Sequence, residues 1–87
     1  MSNLVFTENG WEDYLWWQKS DTRTLDKINA LLKDISRHPF SGLGKPEALK
    51  GEEGAWSRRV NDKDRLVYEI QDGAVYIRQC RGHYSDK

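Results

Sequence analysis

Residues 65–80 read Arg65-Leu66-Val67-Tyr68-Glu69-Ile70-Gln71-Asp72-Gly73-Ala74-Val75-Tyr76-Ile77-Arg78-Gln79-Cys80. Two runs rich in β-branched and aromatic residues flank an Asp-Gly pair, the signature of a two-residue type I′ hairpin. With Asp72 and Gly73 as the loop, Gln71 faces Ala74 and the register of the whole hairpin follows. Leu66, Tyr68, Ile70, Val75 and Ile77 then share one face. Arg65, Val67, Glu69, Tyr76, Arg78 and Cys80 share the other. The first set is apolar and needs a cover, while the second is polar and leads back to an arginine. A further strand over residues 56–60 precedes the pair.

The cover lies upstream. Asn3-Leu4-Val5-Phe6 is a short apolar run that suits an edge strand. Thr7 offers an N-cap oxygen, and Glu8 places a negative charge in the first turn of a helix. Trp11, Tyr14, Leu15 and Gln18 follow at helical spacing. Gly10 weakens that helix by about 1 kcal/mol relative to alanine. Ser20-Asp21 marks a break and a second N-cap, after which Leu25, Ile28, Leu31, Leu32 and Ile35 line one face of a second helix. The short connection makes an antiparallel helical hairpin. Pro39 ends the second helix, because the residue before a proline is driven out of the α region. Residues 38–55 hold both prolines and four of the seven glycines and read as a loop. A short strand is expected around residues 47–50. The predicted architecture is α+β: two N-terminal helices packed on one face of a small antiparallel sheet, in the order β-α-α-β-β-β.

At 87 residues the sequence accommodates one domain, taken as 1–87. No run approaches the roughly 20 apolar residues of a membrane span, and Met1-Ser2-Asn3 does not begin a secretory signal. Cys80 is the single cysteine, so no intrachain disulfide can form. Together these lead to a cytoplasmic expectation. One cysteine and two histidines are too few for a structural zinc site. Lys+Arg and Asp+Glu balance at 14 each, with 4 against 6 over residues 1–36 and 10 against 8 over residues 37–87. A polyanion would therefore meet a local patch on the C-terminal half, not a generally basic surface. Four Trp and four Tyr can fill a small core or stack on bases. Trp16 lies off the helical stripe, so one of Trp16 and Trp17 is expected at the surface, facing a partner protein.

Three segments supply chemistry-bearing side chains. Lys45 and Lys50 flank Glu47 in the Gly/Pro loop. Arg58, Arg59 and Arg65 come from the strands. Arg78, Arg81, His83 and Tyr84 lie at the end. Cleavage of RNA without metal needs a base for the 2′-OH, cations for the charged phosphorane and an acid for the leaving 5′-oxygen. Glu and His are the natural pair, and the planar fork of Arg matches two phosphate oxygens. Each also has an ordinary reading. A loop glutamate is usually solvated, a late histidine usually lies at the surface, and one of Arg58 and Arg59 can simply snorkel. A last strand running regularly through residue 84 would put His83 on the Ile77 face. A bulge or bend at Gly82 would turn it toward Arg65.

Gly42-Leu43-Gly44-Lys45-Pro46-Glu47, Trp56-Ser57-Arg58-Arg59, Arg65-Leu66-Val67-Tyr68 and the terminal His83-Tyr84 occur in this order and spacing. With Trp11-Glu12-Asp13-Tyr14-Leu15-Trp16-Trp17-Gln18 upstream, the chain resembles, over nearly its whole length, the Txe/YoeB family of bacterial toxin endoribonucleases. That family lies within the RelE/ParE superfamily. The resemblance implies a microbial-RNase/RelE-like fold and metal-independent cleavage of mRNA in the ribosomal A site, with no cofactor. It implies Glu47 as general base, Arg65 as phosphate stabiliser and His83 as general acid, with Tyr84 beside it on the substrate. It also implies RNA contacts by Lys50 and Arg59, to which the cationic pattern adds Lys45, Arg58 and Arg81. The partners expected are the ribosome, mRNA and a cognate antitoxin of the YefM/Axe/Phd type. Operator DNA is reached only through the antitoxin, and a homodimer is left open. Two rivals stand beside this: a non-catalytic member that binds antitoxin and operator, and a gyrase-directed relative of the ParE branch. Lys45-Pro46-Glu47 and His83-Tyr84 argue against the second.

Overall fold

The computed structural model describes residues 3–52 and 54–83. The elements run β1 (Asn3–Phe6), α1 (Glu8–Ser20), α2 (Thr22–Arg37), β2 (Glu47–Ala48), β3 (Ala55–Arg59), β4 (Arg65–Gln71) and β5 (Ala74–Gln79). The sheet has the order β1-β5-β4-β3-β2.

The predicted caps form as read. Thr7 Oγ1 accepts from Gly10 N at 3.1 Å, and Asp21 Oδ1 accepts from Thr24 N at 3.1 Å. Asp21 both closes α1 and opens α2, which folds the two helices back on each other. Hydrogen bonds from the Thr24 hydroxyl and amide hold the Asp21 carboxyl below its ordinary value. The hairpin register is as predicted from Gln71 opposite Ala74 to Tyr68 opposite Ile77, and shifts by one residue beyond that.

Leu66, Tyr68, Val75 and Ile77 pack against Ile28, Leu31, Leu32 and Ile35 of α2 and Trp17 of α1, with Ile70 half-buried at the margin. Each is removed from water, and a fully buried aliphatic side chain is worth about 1.5–3 kcal/mol. The opposite face is open apart from a small cluster of Leu49, Ala55 and Val67.

Three differences from the sequence reading have physical causes. The sheet is mixed, not purely antiparallel: β1 runs parallel to β5, with Phe6 opposite Ile77. The α1–α2 hairpin carries the chain from β1 to β2 at the far edge of the sheet, and the antiparallel run β2-β3-β4-β5 then brings β5 back beside β1 in the parallel sense. The buried side of α1 is Gly10, Asp13 and Trp17, whereas Trp11 and Leu15 of the predicted stripe are exposed. Gly10 sets this rotation: a Cβ there would stand 2.2 Å from Ile77 O, so only glycine lets α1 lie so close to β5. Finally, Cys80 is in the helix-side core and not on the open face. Tyr68 pairs with Ile77 but Val67 pairs with Gln79, so Arg78 is the extra residue of a β-bulge. Beyond it the in–out alternation is reversed.

Candidate active site on the open sheet face

Glu47 pairs with Ser57, Ser57 with Val67, and Val67 with Gln79, so one row crosses the open face from β2 to β5. Arg65 opens β4 one step along from this row. Ser57 is buried, and its Oγ accepts from Arg65 Nε at 3.1 Å and Nη2 at 2.9 Å. Arg65 Nη2 also lies 3.3 Å from Glu47 Oε1. The hydroxyl fixes one edge of the guanidinium, and the carboxylate approaches from the neighbouring strand with most of its side chain in solvent. Ser57 is a site residue that the sequence reading passed over in favour of the adjacent arginines. Its place between Glu47 and Arg65 follows from strand parity, once the short β2 is paired to β3.

His83 enters from the other side. Arg65 N donates to Gly82 O at 3.0 Å, and Gln79 Nε2 donates to His83 O at 2.9 Å. The backbone carrying His83 is thus tied to the residue that opens β4. The sequence left open a device that would turn His83 from the Ile77 face. The structure has two: the bulge at Arg78, which reverses parity before the strand ends, and Gly82, whose φ of 79° bends the chain after it. The signal was present in the spacing of the apolar residues, which runs Val75, Ile77, Cys80 instead of continuing in twos. Tyr84 lies outside the described residues.

The predicted RNA-contacting cations separate into groups. Lys45 and Arg59 line a shallow cleft of about 290 Å³ with Lys27 and Asn61. Arg59 also reaches Asp62 in an exposed ion pair. Lys50 is exposed just after β2. Arg81 stacks on the Trp16 ring, its guanidinium carbon 4.4 Å from the centroid, and lies 3.9 Å from Asp13 Oδ1. Trp16 is exposed and Trp17 buried, as the stripe suggested, but the exposed ring covers Arg81 and so has a role within the chain.

Arg58 must be withdrawn as an RNA contact. It points to the helix side, is 0% exposed, and all its donors are occupied. Nε bonds Tyr68 Oη, Nη1 bonds Asp34 Oδ2 and Leu43 O, and Nη2 bonds His38 O and Ser41 O. The reason is again parity: Arg58 alternates with Trp56 and Val60, both packed on the helix-side core. The Arg58 hydrogen bond, followed by one from Leu43 N, holds the Asp34 carboxyl below its ordinary value. Burial pushes the Tyr68 phenol up. Arg78 is likewise engaged, between Glu52 at 2.8 Å and Glu69 at 3.2 Å. Glu52 therefore neutralises a cation of the chain itself.

Among the described residues no three His, Cys, Asp or Glu side chains converge as a metal site. The arrangement offers a carboxylate and a guanidinium in contact, with a backbone-tethered imidazole residue arriving from the opposite strand.

The family model described as the YoeB-like toxin of bacterial type II toxin–antitoxin systems matches residues 6–84. Toxin YoeB of Synechocystis sp. is 52% identical over 82 residues, covering 93% of this chain and 95% of its own length. Toxin YoeB of Escherichia coli K12 is 50% identical over 82 residues, covering 93% and 98%. Among solved structures, a YoeB/ParE toxin from Agrobacterium tumefaciens matches with a TM-score of 0.88 at 46% identity, covering 94% of this chain and 99% of that one. A YoeB–YefM complex from Staphylococcus aureus contains a chain that matches at 0.86 and 41% identity, covering 97% and 99%.

Proposed function

The chain belongs to the YoeB-like toxins of bacterial type II toxin–antitoxin systems, and from that premise we propose that it is a cytoplasmic endoribonuclease that cleaves mRNA in the ribosomal A site without a catalytic metal. Glu47 takes the proton of the 2′-OH, whose oxygen attacks the adjacent phosphorus. Arg65 holds the non-bridging phosphate oxygens as charge builds on them. His83 gives a proton to the departing 5′-oxygen. The products are a 2′,3′-cyclic phosphate and a 5′-hydroxyl. Tyr84 contacts the substrate beside His83, and Lys45, Lys50 and Arg59 meet the RNA backbone.

The observation that carries this reading is the order of the three groups across the sheet. Glu47 is on β2, Arg65 on β4, and His83 follows β5. An in-line displacement needs base and acid on opposite sides of the phosphorus, with the phosphate clamp between them. The 3.3 Å approach of Arg65 to Glu47 supports this reading, since a 2′-oxygen and its neighbouring phosphate require base and clamp to be close.

The partner is an antitoxin of the YefM type, which also represses the operon with the toxin. Complexes of the Staphylococcus aureus relative with YefM support the antitoxin partner, and a dimer of that relative supports a homodimer. Acidic residues of the antitoxin would compete with phosphate for Arg59 and Arg65.

The test measures cleavage of ribosome-bound mRNA by Glu47→Ala, Arg65→Ala and His83→Ala. Each should lose about 10²–10⁴-fold in rate with an unchanged urea transition. A well-folded His83→Ala protein that cleaves at the wild-type rate would remove the acid assignment. Ribosome binding without cleavage by the wild type would favour the non-catalytic reading.

A further inference from the structure

Beyond β4 and β5 the ladder stops, yet residues 80–83 are held by hydrogen bonds from several directions. Cys80 N donates to Asp13 Oδ2 at 3.0 Å, and Trp17 Nε1 donates to Cys80 O at 2.9 Å. Gly82 N donates to Asp64 Oδ1 at 2.7 Å, and Gly82 O accepts from Arg65 N at 3.0 Å. Gln79 Nε2 reaches His83 O at 2.9 Å. Asp13, Asp64 and Gln79 are polar side chains only 3%, 7% and 5% exposed. All three contribute to this one turn. Burying a carboxylate is costly unless its bonds are made, so charged groups are an expensive way merely to end a strand.

We propose that Asp64 and Gln79 are positioning residues for the reaction: they fix the Gly82–His83 backbone against Arg65 and thereby deliver His83 to the leaving oxygen. The inference rests on the acid assignment of the preceding section. Asp64 and Arg65 are consecutive and grip the N–H and C=O of the same glycine. The distance from the phosphate clamp to the acid is therefore set through a single residue. Gln79, on the far side of the bulge, holds the next carbonyl. Gly82 takes φ 79°, a conformation other residues rarely adopt, so the turn cannot relax into extended chain without releasing both bonds. A displacement of about 1 Å in a catalytic group can cost on the order of 10²-fold in rate.

A leaving group that needs no proton separates positioning from folding. Ribosome-bound mRNA is prepared with the ordinary linkage or with a 5′-bridging sulfur at the scissile phosphate. Attack by the 2′-oxygen breaks the P–O5′ bond in the first and the P–S5′ bond in the second. The thiolate departs without a proton from His83. Full-length Asp64→Ala and Gln79→Ala should be slowed about 10–100-fold on ordinary RNA. On the sulfur substrate each should return to within a few-fold of wild type, as His83→Ala should, while Glu47→Ala stays slow on both. Asp64→Asn retains an oxygen for Gly82 N and should stay near wild type on both. If His83→Ala is rescued but Asp64→Ala and Gln79→Ala are equally slow on both substrates, or neither is slowed on ordinary RNA, the positioning role is overturned. If His83→Ala is itself not rescued, the acid assignment falls and this inference falls with it. Should Asp64→Ala lose its cooperative urea transition, Gln79→Ala decides the matter.

Discussion

Arg58 and Arg65 sit on neighbouring strands of one sheet and do opposite things. Arg58 faces the helices, and its five N–H donors are all bonded to fixed groups of the chain. Arg65 faces the open side, with Ser57 and Glu47 as its side-chain partners and, among the described residues, no bond to Nη1. A guanidinium with every donor occupied has nothing left for a substrate. One anchored along a single edge keeps the other for a phosphate. The number of donors left over, and not charge or sequence neighbourhood, distinguishes a structural arginine from a functional one.

The largest expected effect breaks the buried half of this pair. Arg58→Met should destabilise the fold by about 3–5 kcal/mol, because it strands the Asp34 carboxylate and the carbonyls of His38, Ser41 and Leu43. Arg65→Met should change stability by under about 1 kcal/mol, since it removes only bonds to a hydroxyl and an exposed carboxylate. Urea titration of the two variants checks the contrast. Equal losses would mean that Arg65 also serves the fold.

Asp34 gives the same contrast a pH dependence. Its folded carboxyl lies below the ordinary value of 3.8, because Arg58 and then Leu43 N bond the charged form. A depressed acid stabilises the fold above its unfolded value, and that contribution is lost as pH falls through the folded one. Asp34→Asn should therefore cost about 1.5–3 kcal/mol at neutral pH. The gap to wild type should close below about pH 4. A gap that stays constant from pH 6 to pH 2.5 would show that the Arg58 bond does not depend on the Asp34 charge.

Gly10→Ala tests how the helix side is assembled. Propensity alone predicts a gain of about 1 kcal/mol. The new Cβ would stand 2.2 Å from Ile77 O, an oxygen already held by Thr7 N and Thr7 Oγ1. It can move only by pulling α1 off β5, so the expected net result is a loss of about 1–2 kcal/mol, read from the urea midpoint. A stabilised variant would mean that α1 can shift freely.

The same residues mark what was legible in the sequence. Caps, the α2 core face and the hairpin register next to the Asp72-Gly73 turn are local patterns, and they formed as read. Three features depend on contacts between distant segments: the parallel seat of β1, the close approach at Gly10 and the bulge at Arg78. Of these, only the bulge leaves a local trace, in the spacing Val75, Ile77, Cys80, and the other two are not encoded in a window of a few residues. At the site, Glu47 and Arg65 were legible as residue types, and the structure brings them together. Ser57, Asp64 and Gln79 were not, because buried polar residues that serve other side chains or the backbone carry no periodic signal. Arg58 was legible and misread: its alternation with Trp56 and Val60 already placed it inside.

Arg59 offers the smallest and most discriminating test, since it follows Arg58 in the chain and faces outward. Its ion-pair partner Asp62 is three residues away and 92% exposed at its side chain. Exposed pairs of this kind contribute between 0 and about 1 kcal/mol, because water screens them and ordering two long side chains opposes the attraction. Asp62→Ala should therefore shift the urea midpoint by under about 0.5 kcal/mol in equivalent stability. It should also release Arg59 into the cleft it shares with Lys27 and Lys45. If Arg59 meets the RNA backbone, the half-saturating concentration of programmed ribosomes should fall about twofold at low salt and return to the wild-type value as salt is raised. A loss of stability above about 1 kcal/mol would make Asp62 part of the fold. An unchanged half-saturation at low salt would place Arg59 with the bystanders and leave Lys45 and Lys50 to hold the backbone.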